Sequence, residues 1–216
     1  MFPYTAEVLA SVIANFNHDW WPLPAAAAGL MLGAVLLAVR PQPGGGKVVG
    51  AALAAAWAWV AVGWHFLTFA EINFAAPIYG LFFLLQAALL LWIAVSRGAL
   101  RFAPGIDGFR LAGVALAAYA LFGYPMLTAA LGGDLAAVRL AGMAPGPTAL
   151  LTLGLLLAAS GRAPISLAVV PLLWCAAAGA TAWLIAVPED LVLPIFGVLA
   201  ALLLALKNLR AKHAAP

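Results

Sequence analysis

The chain is a succession of apolar stretches, each closed by proline, glycine or a basic residue. Roughly 20 apolar residues in a helix, at about 1.5 Å each, cross the ~30 Å hydrocarbon layer of a bilayer. Barrel strands instead run to roughly 10 residues of alternating polarity, a pattern these stretches lack. With 67% apolar and 8% charged residues, the chain falls far from the ~25% charge of soluble domains. The mean hydropathy of +1.11 agrees. The fold class expected is an all-α membrane protein in contact with the lipid bilayer.

Breaks between the stretches predict seven transmembrane helices at about 23–39, 48–68, 75–95, 110–131, 147–160, 164–186 and 191–207. The fourth carries Gly123-Tyr124-Pro125, and an interior proline removes a helical hydrogen bond, so an interruption is expected there. Residues 1–21 read as an interfacial helix rather than a cleaved signal, for want of a basic leader and a small-residue cleavage site. Phe2, Tyr4, Val8, Leu9, Val12, Ile13 and Phe16 are expected on its apolar face, with Trp20-Trp21 at headgroup level.

Charge tests the count. Seven crossings put Arg40, Lys47, Arg97, Arg101, Arg110, Arg162, Lys207, Arg210 and Lys212 on one side, and only Arg139 on the other. The acids reverse this, with Asp107 alone on the basic side. Because basic loops stay in the cytoplasm, the N-terminus is expected outside (periplasmic) and the C-terminus inside, in a bacterial inner membrane.

Two helix entrances repeat. Glu71 precedes Pro77-Ile78-Tyr79-Gly80, and Glu189-Asp190 precedes Pro194-Ile195-Phe196-Gly197, 117 residues later. Trp57 and Trp174 keep the same offset, and Pro22-x-Pro24 answers Pro145-x-Pro147. The expected organisation is an interfacial segment (1–21), helices 1–3 (22–95), a linker helix with its loops (96–146), helices 5–7 (147–207) and a basic cytoplasmic tail (208–216). Such a parallel 3+1+3 repeat is similar in layout, though not in sequence, to SWEET sugar transporters. Repeat-built transporters bind solute near the midplane between halves.

Ionisable groups within spans are costly and mark pathways. His65, in the outer half of the second span, is the chief candidate, with Glu71 as its outer partner; the alternative is a histidine bonded to a nearby carbonyl as helix glue. Tyr79 and Gln86, seven residues apart, share a helix face. Glu71, Asn73, Glu189 and Asp190 are expected as an acidic ring at the outer ends, with Asp190 favouring its helix N-terminus. The pathway set is therefore His65, Glu71, Asn73, Tyr79, Gln86 and Glu189.

No catalytic, cofactor or metal role is expected. A haem would have only Met31 or Met126 as second ligand to His65, and a metal only His18, Asp19, His65 and Glu71. Lys207 lies too near the basic tail for a retinal linkage, and Cys175 is the single cysteine. No nucleophile set or phosphate loop appears, and nucleic acid is not an expected partner.

Several segments resemble an uncharacterised family of small bacterial inner-membrane proteins, a domain of unknown function. They are Asn17 to Pro22 (NHDWWP), Trp64-His65 with Phe69-Ala70-x-Ile72-Asn73-x-Ala75-Ala76, Pro145-x-Pro147-Thr148 with Thr152 to Leu156, Val170 to Trp174, and Val187 to Leu191. The resemblance implies a fold class but no activity. It also implies a cysteine where this chain has Gly146, a departure that speaks against thiol or metal chemistry there. Two functions follow from the whole reading: a transporter or channel for a small solute or cation, or an accessory or assembly subunit within a larger membrane complex or homo-oligomer.

Overall fold

The computed structural model describes residues 3–213, and among them every ordered element is helical apart from one isolated bridge. The helices are α1 (Ala6–Asp19), α2 (Leu23–Val39), α3 (Gly45–Trp59), α4 (Ala76–Leu89), α5 (Gly108–Ala118), α6 (Tyr124–Ala130), α7 (Pro145–Ala158), α8 (Ser166–Ile185) and α9 (Val192–His213). π-helical turns extend α3 over Val60–Phe66 and α4 over Leu90–Ser96, and a third at Tyr119–Gly123 joins α5 to α6. That third turn is the interruption predicted at Pro125, whose missing N–H is absorbed by widening the helix. The other two carry no proline, and the sequence reading missed them.

Five helical stretches are long and apolar enough to cross a membrane: 45–71, 76–96, 108–130, 166–185 and 188–213. The first and fifth of the seven expected spans are shorter. α2 has 17 residues and meets α1 at 89°, so the two together make a sixth candidate. α7 has 14 residues, all of them buried. At ~1.5 Å per residue α7 reaches roughly 21 Å, less than the ~30 Å of hydrocarbon. Wholly enclosed by protein, it faces no lipid and is not held to that length.

Glycine lets α7 occupy the centre. A Cβ on Gly113 of α5 would lie 2.4 Å from the Ala158 amide nitrogen, and one on Gly154 would lie 2.7 Å from the Gly113 carbonyl oxygen. Gly113 and Ala117 thus meet Gly154 and Ala158 backbone to backbone, the small-residue contact that drives helix pairing where lipid supplies no hydrophobic force. α8 and α9 pack on the other side of α7, α3 lies between α2 and α4, and α4 also meets α8.

The buried stripe of α1 is Leu9, Ile13 and Phe16, joined by Tyr4. Val8, expected on that face, is exposed, because a residue beside Leu9 is turned about 100° away from it. Phe2 lies outside the described residues. The Phe16 ring packs edge-on to Trp64 at 5.4 Å, and Trp20 to Trp59 at 4.8 Å, so α1 is fastened across the end of α3. The expected tail is helical to His213, since α9 runs on past the apolar stretch.

Candidate functional site

The site is organised at the end of the bundle where α7 begins. Asn17 of α1 donates 2.9 Å hydrogen bonds to the carbonyls of Ala136 and Val138, fixing the loop that follows α6. That loop delivers Arg139 into the protein, where its side chain is 8% exposed. The guanidinium donates to Glu189 at 2.6 Å and stands 3.6 Å from Asp190, while the Tyr124 hydroxyl donates to Asp190. Burial acts to lower the pKa of Arg139, but Asp190, Tyr124 and Glu189 outweigh it and hold the group above its ordinary value. Arg139 therefore keeps its charge at every physiological pH.

A cavity of about 70 Å³ lies beside this network. A single water needs roughly 10–15 Å³ by the same measure, so the space suits a few waters or one small solute. Tyr4, Trp64, Phe69, Tyr79 and Trp174 supply aromatic walls; Asn73, Arg139, Thr181 and Asp190 supply polar groups; and Pro145 and Gly146 bring in the start of α7. Tyr4 is pushed up to about 12, by burial first and then by facing Tyr79 and Asp190, against a hydrogen bond from Asn73 that lowers it. Its phenol remains protonated at neutral pH.

Beyond the cavity lies His65, fully buried in the π turn that ends α3. Four rings enclose its imidazole, with centroids at 4.6 Å (Phe83), 5.2 Å (Trp174), 6.0 Å (Tyr79) and 6.2 Å (Phe69). Neither ring nitrogen has a hydrogen-bond partner among the described residues, and the same is true of Trp174 Nε1 and Gln86 Oε1. Gln86 does spend its amide N–H on the Leu167 carbonyl, at 2.9 Å, tying α4 to α8. Tyr79 and Trp174 border both the cavity and the His65 cage.

The sequence-selected residues thus separate into groups. Asn73 and Tyr79 line the cavity, and Tyr79 touches His65. Glu189 is committed to Arg139, and Asp190 stands in the turn that opens α9, as expected there, with its part-buried carboxyl group also against Arg139 and Tyr124. Glu71 is exposed and makes no bond to His65, so the expected His65–Glu71 pair does not form. The helix-glue alternative for His65 also finds no carbonyl. Among the described residues no three His, Cys, Asp or Glu side chains converge as a metal would require. Arg139, Tyr124 and Trp174 were the residues the sequence reading underweighted. One signal pointed to Arg139: it is the only basic residue between Arg110 and Arg162.

Fold and site together define an all-helical protein with several candidate membrane spans and a polar site at one end of the bundle. The chain belongs to a family of unknown function, DUF6064, whose model matches residues 6–215. No curated protein and no solved structure matches it.

Proposed function

We propose that the protein is a multi-pass transporter of the bacterial inner membrane, with seven crossings, its N-terminus periplasmic and its C-terminus cytoplasmic. A small solute enters the cavity beneath α1, passes Tyr79 and Trp174, and reaches the cage around His65 and the face of Gln86. The observation that carries this reading is the unspent hydrogen-bonding capacity at His65, Gln86 and Trp174, next to a cavity. Each buried polar atom left unpaired costs about 1–3 kcal/mol, and a solute or its accompanying water would recover that cost. The nine-to-one division of basic residues supports the orientation. The short helix α7 begins at the cavity, where Pro145 and Gly146 line it. The matching helix entrances at Pro77 and Pro194 support a 3+1+3 repeat.

The test is His65→Phe in proteoliposomes loaded with a panel of small solutes. A phenyl ring fits the aromatic cage and removes both unpaired nitrogens. The variant should unfold no more easily than the parent, by up to ~1 kcal/mol in its favour, while flux falls at least about tenfold, a barrier rise of ~1.4 kcal/mol. Unchanged flux would remove His65 from the route. If no solute moves and a stoichiometric partner protein co-purifies, the accessory-subunit reading replaces this one.

A further inference from the structure

Resting on that reading, we infer that the solute taken up by the cavity is a small organic cation, an amine or methylated ammonium ion. Two carboxyl groups, Glu189 and Asp190, stand against the single guanidinium of Arg139, so the cluster holds one acid more than it holds bases. Asp190 and Arg139 are the only charged residues lining the cavity among those described. The guanidinium faces both acids, Glu189 at 2.6 Å and Asp190 at 3.6 Å, so its positive charge is already matched inside the cluster.

The start of α7 points the same way. A helix N-terminus ordinarily presents free N–H groups that bind anions. Here two of the first three residues are Pro145 and Pro147, which have no N–H, and Thr148 returns its N–H to Ala144 at 3.4 Å. Only Gly146 keeps a free donor position, so the usual anion cradle is dismantled.

The walls complete the argument. Five aromatic rings line the cavity, and Tyr79 and Trp174 lie 5.7 Å apart in an edge arrangement. Aromatic faces attract cations, and they do so most strongly when water is excluded. An ammonium headgroup seated between those faces and the Asp190 side would meet the spare carboxyl group without needing a metal-like set of ligands. Alkyl substituents on nitrogen would be tolerated against the apolar part of the wall, where Leu9, Ile13, Ala177 and Leu193 join the rings.

Calorimetric titration of the full chain in phosphatidylglycerol nanodiscs tests this, with methylammonium, tetramethylammonium and choline as probes. The controls are the uncharged tert-butyl analogue of choline and the anion pivalate. An ammonium probe should bind at least about tenfold more tightly than either control, and Trp174→Leu should weaken it by a similar factor, as expected for a desolvated cation–aromatic contact. Asp190→Asn, which keeps an acceptor for Tyr124, should also weaken it and serves as a check should Trp174→Leu misfold. Adding phosphatidylethanolamine separates the sources: competition assigns the ammonium to a lipid headgroup, and undiminished binding assigns it to a free solute. Equal or tighter binding of the neutral analogue or pivalate overturns the cation assignment while leaving a solute site in place. Absence of binding by every probe and control, with no flux, removes both the assignment and the transporter reading.

Discussion

The two ends of α7 each hold a buried cation, and they are used differently. At the C-terminal end, Lys207 Nζ donates to the carbonyls of Leu156, Leu157 and Ala159, and Asn208 bonds both the N–H and the carbonyl of Ala163. These carbonyls have no acceptor role left within a helix that stops at Ala158, and the lysine satisfies them. Three donors meet three acceptors and nothing remains over. At the N-terminal end, Arg139 is paired with two carboxylates, a cavity adjoins it, and unpaired polar atoms lie one aromatic layer further in. A buried charge is therefore not itself a sign of function. The informative quantity is what remains once its local partners are counted.

Substitutions should separate the two ends. Arg139→Met leaves two carboxylates facing each other and should cost about 3–5 kcal/mol in unfolding, the usual penalty for breaking a buried pair. Adding Glu189→Gln and Asp190→Asn should recover much of it, read by thermal melts in one detergent. If Arg139→Met is as stable as the parent, the N-terminal network is not the anchor described. Lys207→Met keeps the apolar stem but strands the α7 carbonyls, and should cost about 2 kcal/mol. Its solute affinity should stay at the parental value, and a fall in affinity at unchanged stability would break the contrast between the ends.

A smaller effect is expected of Asn17→Ala, which frees the loop carrying Arg139 from α1. Two hydrogen bonds at roughly 0.5–1.5 kcal/mol each set the scale, about 1–3 kcal/mol. Hydrogen exchange should then rise at residues 134–140 before it rises in α7. Smallest in stability, and sharpest for function, is His65→Phe, for which flux and melting should part company.

Much of the fold was legible. Stretches of apolar residues bounded by Pro, Gly and base located α2 to α8 to within a few residues, because bilayer-length hydrophobicity leaves the backbone few alternatives to a helix, whereas α9 runs past its apolar stretch to His213. The π turns after Trp59 and Leu89 were not legible, since no proline or glycine pattern demands them; neighbouring helices decide them. Site residues were only partly readable. His65, Tyr79 and Gln86 announced themselves as polar groups at depth, and Asn17 as part of the NHDWWP segment. Glu71 misled because proximity in sequence to His65 suggested a pair, whereas the chain turns at Phe69–Glu71 and leaves the carboxylate exposed.

The sequence by itself determined an all-helical chain and where most of its helices lie, since both follow from local hydrophobicity. Only the tertiary structure decided that a 14-residue helix is wholly enclosed, that Arg139 joins Glu189 and Asp190 from 50 residues away, and that Trp174 closes on His65. These are long-range pairings, and they depend on how closely glycine-lined helices approach. That is a property of surfaces meeting in space, which no single segment encodes.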